Sequence, residues 1–266
     1  MKAARPFILS LVILAFVFPI SAIGQRKVVL NMPTYDQDYL FHFGFVLGVN
    51  QSFASIRPIA DLGTRVFDST YLPDILPLPD SARVLSVNST PIPGFVISIV
   101  GNMRMGKHFD LQFVPSLSFG DRTINYEIET YSTFAGKDSI QRITKTKKIP
   151  STYINFPLEI KYKAMRYNNF RPYLLAGAQY SLDLASQAKK REQKADKDDK
   201  IVKFNQNDIY LEAGVGFDFY NEWFKFGLEL KMMYGVMDVL KHENNIYTES
   251  IDKVNSKIFQ VSFTFE

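Results

Sequence analysis

The feature that most constrains this chain is a period of two. From Phe109 through Leu111, Phe113, Leu117 and Phe119 the odd positions are apolar, and Asp110, Gln112, Ser116 and Ser118 lie between them. Such alternation is the signature of a strand with one apolar and one wet face. It recurs over 154–163, 209–219, 224–232 and 259–265, and in less regular form over 40–54, 94–105 and 170–185. These stretches are longer than the five or six residues usual in soluble proteins. They reach the roughly 9–11 residues that a membrane-crossing strand needs. Helical periodicity is nearly absent.

Eight strands is an even number, and the connections between them alternate in length. Short turns are expected at Gly106-Lys107-His108, at Arg166 to Asn169 and at Asn221-Glu222. Long loops are expected at 57–92, 186–207 and 239–254, with a smaller one near 134–139. Short turns at one end and long loops at the other mark an outer-membrane barrel, with the short turns periplasmic. The fold class expected is therefore all-β, an eight-stranded antiparallel up-and-down transmembrane barrel over 39–266, preceded by a periplasmic segment at 25–38. A soluble, lipocalin-like barrel is the alternative, because alternation alone does not say which face points inward.

Composition agrees with the apolar-out reading. Aromatic residues make up 14% of the chain, yet mean hydropathy is only −0.07. A window average cancels an apolar face against a polar one, which reconciles the two numbers. That hydropathy argues against a polytopic helical membrane protein, which needs several apolar runs of about 20 residues. The absence of cysteine excludes a disulfide scaffold, a thiolate metal site and a cysteine nucleophile. Residues 1–24 read as a secretory signal peptide: Lys2 and Arg5, then an apolar stretch from Phe7 to Ile20, then Ala22-Ile23-Gly24 before Gln25. Lys2 and Arg5 supply two of the formal net charge of +4. No concentrated basic face remains that would point to nucleic acid.

An eight-stranded barrel is too narrow for an aqueous pore, so its lumen is filled by side chains. The polar face carries Glu159, Lys161, Lys163, Glu212, Asp218, Lys225, Glu229 and Lys231. Glu159, Lys161, Glu212, Lys225, Glu229 and Lys231 are the lumen-facing candidates, read first as paired filling and only second as functional groups. The 57–92 loop contains Pro58, Pro73, Pro77, Pro79 and Pro91 together with Leu72, Ile75, Leu76 and Leu78. It is semi-rigid and apolar, suited to folding over the barrel mouth or to contacting a partner. The run of charges at 189–200 reads as a solvated loop tip. The three histidines, His42, His108 and His242, have no local spacing to a serine or carboxylate that would make a hydrolase, and no cluster has metal-ligand spacing. No catalytic, cofactor or metal site is expected, and neither nucleic acid nor a small-molecule substrate is an expected partner.

The segment Phe41-His42-Phe43-Gly44-Phe45 with Leu47-Gly48-Val49-Asn50 resembles the first strand of the PorT family, also called SprT in gliding members. The resemblance continues through Pro91-Ile92-Pro93-Gly94-Phe95, then from Phe109 to Arg122, Thr152 to Leu158, and Asn168-Asn169-Phe170-Arg171-Pro172-Tyr173. Its joint order and the Pro-Gly-Phe entry to the second strand are its most specific parts. The family comprises outer-membrane barrels of the Bacteroidota type IX secretion system. The resemblance implies a non-enzymatic accessory of protein export whose partners are outer-membrane lipid and other secretion proteins. A generic small barrel acting as adhesin or envelope-stability protein is the alternative, with an outer-membrane hydrolase behind it.

Overall fold

The computed structural model describes residues 39–72, 78–134, 137–184 and 202–266, with Met32 and Ile75. The expected signal peptide, the charge run at 189–200 and, apart from Met32, the 25–38 segment lie outside the described residues.

A single closed ring of antiparallel strands dominates. β1 (Phe41–Pro58) pairs on one side with β4 (Ile92–Arg104) and on the other with β13 (Ile251–Phe265). β4 pairs with β5 (Phe109–Phe113) and β6 (Ser116–Phe134), and both of these pair with β7 (Lys137–Lys163). The ring continues through β8 (Phe170–Asp183), β10 (Asn207–Tyr220) and β11 (Lys225–Gly235), which pairs with β13. β5 and β6 act as one strand. Phe113 opposes Leu158 and Ser116 opposes Asn155, so the register survives the break at Val114 and Pro115, where proline has no N–H to give. Counted that way the ring has eight strands, each beside its chain neighbour.

One end of the ring carries the short connections at 105–108, 164–169 and 221–224. Gly106 (φ 128°) and Asn168 (φ 52°) take the left-handed conformations that let those turns reverse, which glycine and asparagine adopt most readily. The other end carries β2 (Phe67–Asp68), β3 (Ser81–Thr90), β9 (Lys203–Phe204), β12 (Leu240–Lys241) and the one-turn helix α1 (Ile246–Glu249), capped by Asn245. β3 runs into β4 through Pro91 and pairs with the far half of β6. The segments 57–92 and 239–254 thus contain paired structure as well as loop. No helix among the described residues is long and apolar enough to cross a membrane.

Through the middle of the ring the outward face is apolar. Phe43 (74% exposed), Phe95, Ile99, Leu158, Ile160, Leu174, Leu211 and Leu230 are all exposed, while the other face of these strands carries buried Ser98, Glu159, Lys161, Glu212, Glu229 and Lys231, with Val96 and Leu175 among them. Outward rings stack across strands, as in Phe45 on Phe265 (4.9 Å) and Phe95 on Phe119 (4.6 Å). Beyond this belt, at the loop end, both faces change character. The inner face becomes apolar at Val84, Ile124, Tyr126, Ile128 and Ile149, all at most 5% exposed. These pack with Phe67, Leu72, Ile75, Phe204, Leu240, Ile246, Tyr247 and Val254 into one core over the mouth. The outer face there becomes charged. Glu129 lies between its cross-strand neighbours Arg83 (2.8 Å) and Arg142 (3.4 Å), and Tyr131 donates its hydroxyl to the same carboxylate. The double inversion follows from the surroundings: apolar side chains face lipid within the belt, and above it they turn from water into a core.

The Tyr131 hydroxyl, followed by the Arg83 and Arg142 guanidiniums, holds the Glu129 carboxyl below its ordinary range. A carboxylate held low stabilises the folded state above its unfolded-state pKa, and that contribution is lost as pH falls through the folded value. The thermal transition of the loop-end domain is therefore expected to be level near neutral pH and to drop below about pH 4. Glu129→Gln is expected to flatten that drop, as read by thermal melts across pH 3–7.

Candidate functional site: the charged lumen

Because strand side chains alternate, Glu159, Lys161 and Lys163 of β7 share one face, as do Glu212 and Asp218 of β10 and Lys225, Glu229 and Lys231 of β11. All eight point into the ring and are at most 7% exposed. Closure brings them together from strands far apart in sequence. Lys231 reaches Glu159 at 2.8 Å and Glu229 at 3.7 Å. Lys161 bridges to Asp218 at 3.0 Å, Lys163 to Asp110 at 2.7 Å, and Lys225 to Glu266 at 2.5 Å. Each of the six lumen candidates is thus inside the barrel, and all but Glu212 take part in one of these bridges. Glu212 makes no salt bridge among these, and its side chain lies beside Glu159, Lys231 and Glu229.

Other members of the network were not among the sequence candidates. Tyr173 donates to Glu229 at 2.7 Å, and the Lys161 ammonium lies 3.5 Å from the centroid of its ring. Gly216 makes room for that ring, since a Cβ there would overlap it. Asp110 and Glu266 supply carboxylates to Lys163 and Lys225. Towards the loop end, Arg122 (1% exposed) donates to Ser52 (3.1 Å), Tyr153 (2.8 Å) and Tyr210 (3.1 Å), and its guanidinium lies 5.6 Å from the Phe204 ring centroid. Strand parity is the signal that could have found Asp110, Arg122 and Glu266. Their partners depend on closure of the ring and have no local signal.

Below the apolar core, then, the lumen is filled by a hydrogen-bonded and ion-paired side-chain lattice. The histidines are not gathered into it as a catalytic set. His42 is on the lumen face at the turn end, and the His108 Nδ1 lies 3.0 Å from the Lys163 carbonyl oxygen. His242 stands at the opposite end, beside Asp238 (3.5 Å). Among the described residues no group of three or more His, Asp or Glu is placed to hold a metal ion.

A closed eight-stranded up-and-down ring with an apolar belt outside and a charged lattice inside defines a transmembrane β-barrel of the outer membrane. The chain belongs to the outer membrane protein beta-barrel domain family, whose model matches residues 34–241. Among solved structures it is similar to the outer membrane protein OprG from Pseudomonas aeruginosa (13% identity, 84% of this chain and 92% of that one, TM-score 0.35). It is also similar to Neisserial surface protein A, NspA (12% identity, 83% and 95%, TM-score 0.35). No curated protein sequence matches it. Folded barrels of this kind resist detergent until heated. The protein is expected to migrate differently on gels before and after boiling, and a single unchanged band would contradict the closed ring.

Proposed function

We propose that the chain is a non-enzymatic outer-membrane barrel that serves type IX protein secretion as a structural or assembly component. The observation that carries the non-conducting, scaffold part of this reading is the filled lumen. Paired charges occupy its centre, Arg122 and its hydroxyl partners lie above them, and an apolar core covers the mouth. A barrel so filled acts through the surfaces it presents to lipid, periplasm and exterior rather than by passing solutes. The ordered PorT-like segments, from the Phe41–Phe45 strand to Asn168–Tyr173, support assignment to protein export. In that setting its partners are outer-membrane lipid and other secretion proteins. The test is deletion of the gene followed by surface labelling of cargo that carries a C-terminal sorting domain. Loss of surface cargo, restored by the intact gene, is the expected result. Normal surface display would overturn the secretion role.

One observation favours a second reading, an adhesin or envelope-stability protein. The β3–β6–β7 sheet and its apolar core stand outside the membrane belt and present a built surface to the exterior. Removing the 57–92 and 186–207 segments while cargo export persists would separate the two readings.

A further inference from the structure

One contact in the lumen joins two groups of the same kind. Glu159 of β7, Gly177 of β8 and Glu212 of β10 stand opposite one another in a single cross-strand row. Gly177 has no side chain, so nothing separates the two carboxyl groups across the middle strand. A Cβ at Gly177 would lie 3.0 Å from Glu212 Oε1 and 2.9 Å from the Glu159 Cα, so Glu212 leans over the glycine towards β7. The two carboxyl groups come within hydrogen-bonding reach of each other.

The surroundings supply no donor for that contact. Lys231 of β11 bridges to Glu159 Oε1 at 2.8 Å and to Glu229 at 3.7 Å. Glu229 also receives the Tyr173 hydroxyl from β8 at 2.7 Å. Among the described residues, no N–H or O–H donates to Glu159 Oε2 or to either oxygen of Glu212. The neighbouring strands bring neutral amides. Gln112 of β5 stands opposite Glu159 and makes no hydrogen bond from its Nε2 among the described residues, and Gln260 of β13 stands opposite Lys231. Lys161 and Asp218 pair with each other nearer the turns. Arg122, with Asp208 near it, is held by hydroxyl groups nearer the loop end.

Glu159, Glu212 and Glu229 therefore surround one ammonium, in a space enclosed by the barrel wall and covered by an apolar core. Two buried carboxylates in contact repel each other and offer each other only acceptors. A single proton meets both needs: the acid O–H of one donates to the oxygen of the other, and one negative charge is removed.

We infer that Glu159 and Glu212 bind one proton between them, and that this shared proton pins β7 to β10 across β8. The centre of the lumen is then a proton-binding site. Release of the proton leaves two touching carboxylates beside a single ammonium, so the lattice loosens as pH rises. Infrared spectroscopy of the full-length protein in lipid reads the proton directly. The C=O stretch of a carboxylic acid is distinct from that of a carboxylate, and it moves on exchange into heavy water. At neutral pH the parent-minus-Glu212→Gln difference spectrum is expected to contain one carboxylic-acid band. Glu159→Gln is expected to lose the same band, because its amide donates to Glu212 in place of the proton. No acid band in the first difference overturns the proposal, since a cation bridging the pair would give none. A band that survives in Glu159→Gln also overturns it, by placing the proton on Glu212 alone. If Glu159→Gln does not fold, as judged by its heat-dependent gel shift, Glu212→Asp takes its place. That variant keeps the acid but is one methylene too short to reach across Gly177, and an acid band at the parent position would overturn the proposal. Urea unfolding gives an independent readout. From about pH 6 to about pH 9 the midpoint of the parent is expected to fall relative to that of Glu212→Gln, whose amide has no proton to release. Parallel curves overturn the inference.

Discussion

Replacing Lys231 with methionine is expected to remove about 3–5 kcal/mol from the stability of the folded barrel. Lys231 is 7% exposed and is the cation shared by Glu159 at 2.8 Å and Glu229 at 3.7 Å, with Glu212 also within its field. Its loss leaves buried carboxylates packed together without the cation they share. Removing one partner of a buried pair costs far more than the pair itself contributes, because the survivor stays desolvated and uncompensated. Glu212→Gln is the matched control. That side chain has no direct cationic partner among the described residues, so its neutral isostere breaks no ion pair and is expected to be neutral or stabilising. Urea unfolding of protein reconstituted in lipid, followed by the fluorescence of Trp223, measures both. A Lys231→Met barrel as stable as the parent would mean that the lattice is not held by this cation.

Replacing Tyr126 with alanine is expected to cost about 3–5 kcal/mol, but locally. Tyr126 is fully buried and packs edge-on against Tyr247 of α1 at 4.9 Å, in the core that closes the loop-end mouth. Truncation opens a cavity between the β3–β6–β7 sheet and the 239–254 segment. The belt and its charged lumen share none of these contacts, so the gel shift on heating is expected to persist while external protease gains access to 239–250. Tyr126→Phe separates packing from polarity. The Tyr126 hydroxyl has no hydrogen-bonding partner among the described residues, so its removal is expected to preserve or raise stability. Unchanged protease resistance in Tyr126→Ala would show that the mouth is closed by other contacts.

The strands within the membrane belt were legible because lipid enforces a strict rule. At Phe109–Phe119 and Ile154–Lys163 the outward residues must be apolar, and the inward ones are free to be polar, so the period of two is plain. The same strands continue above the belt with no such contrast. In 137–151 the outward positions include Arg142, Thr144, Thr146 and Lys148 beside an exposed Ile140, and the inward ones mix Ile149 with Lys147, so β7 extends beyond its visible pattern. β3 and α1 were hidden for the same reason. Their apolar residues, Ala82 and Val84 in β3 and Ile246 and Tyr247 in α1, point into a small core whose other walls are remote in sequence. The contact between Glu159 and Glu212 was illegible because the two lie on strands remote in sequence until β8 sets them in one row.

By itself the sequence determined which residues form the membrane-crossing strands, which face of each strand is apolar, and that Glu159, Lys161, Glu212, Lys225, Glu229 and Lys231 share the other face. Those are properties of alternation along a strand, and alternation is local. The tertiary structure alone decided that Lys231 meets Glu159, that Lys161 meets Asp218, that Arg122 is held by three hydroxyl groups, and that an apolar core covers the mouth. Those contacts depend on how the ring closes and how its strands stagger, and closure sets distances between residues that no local pattern relates.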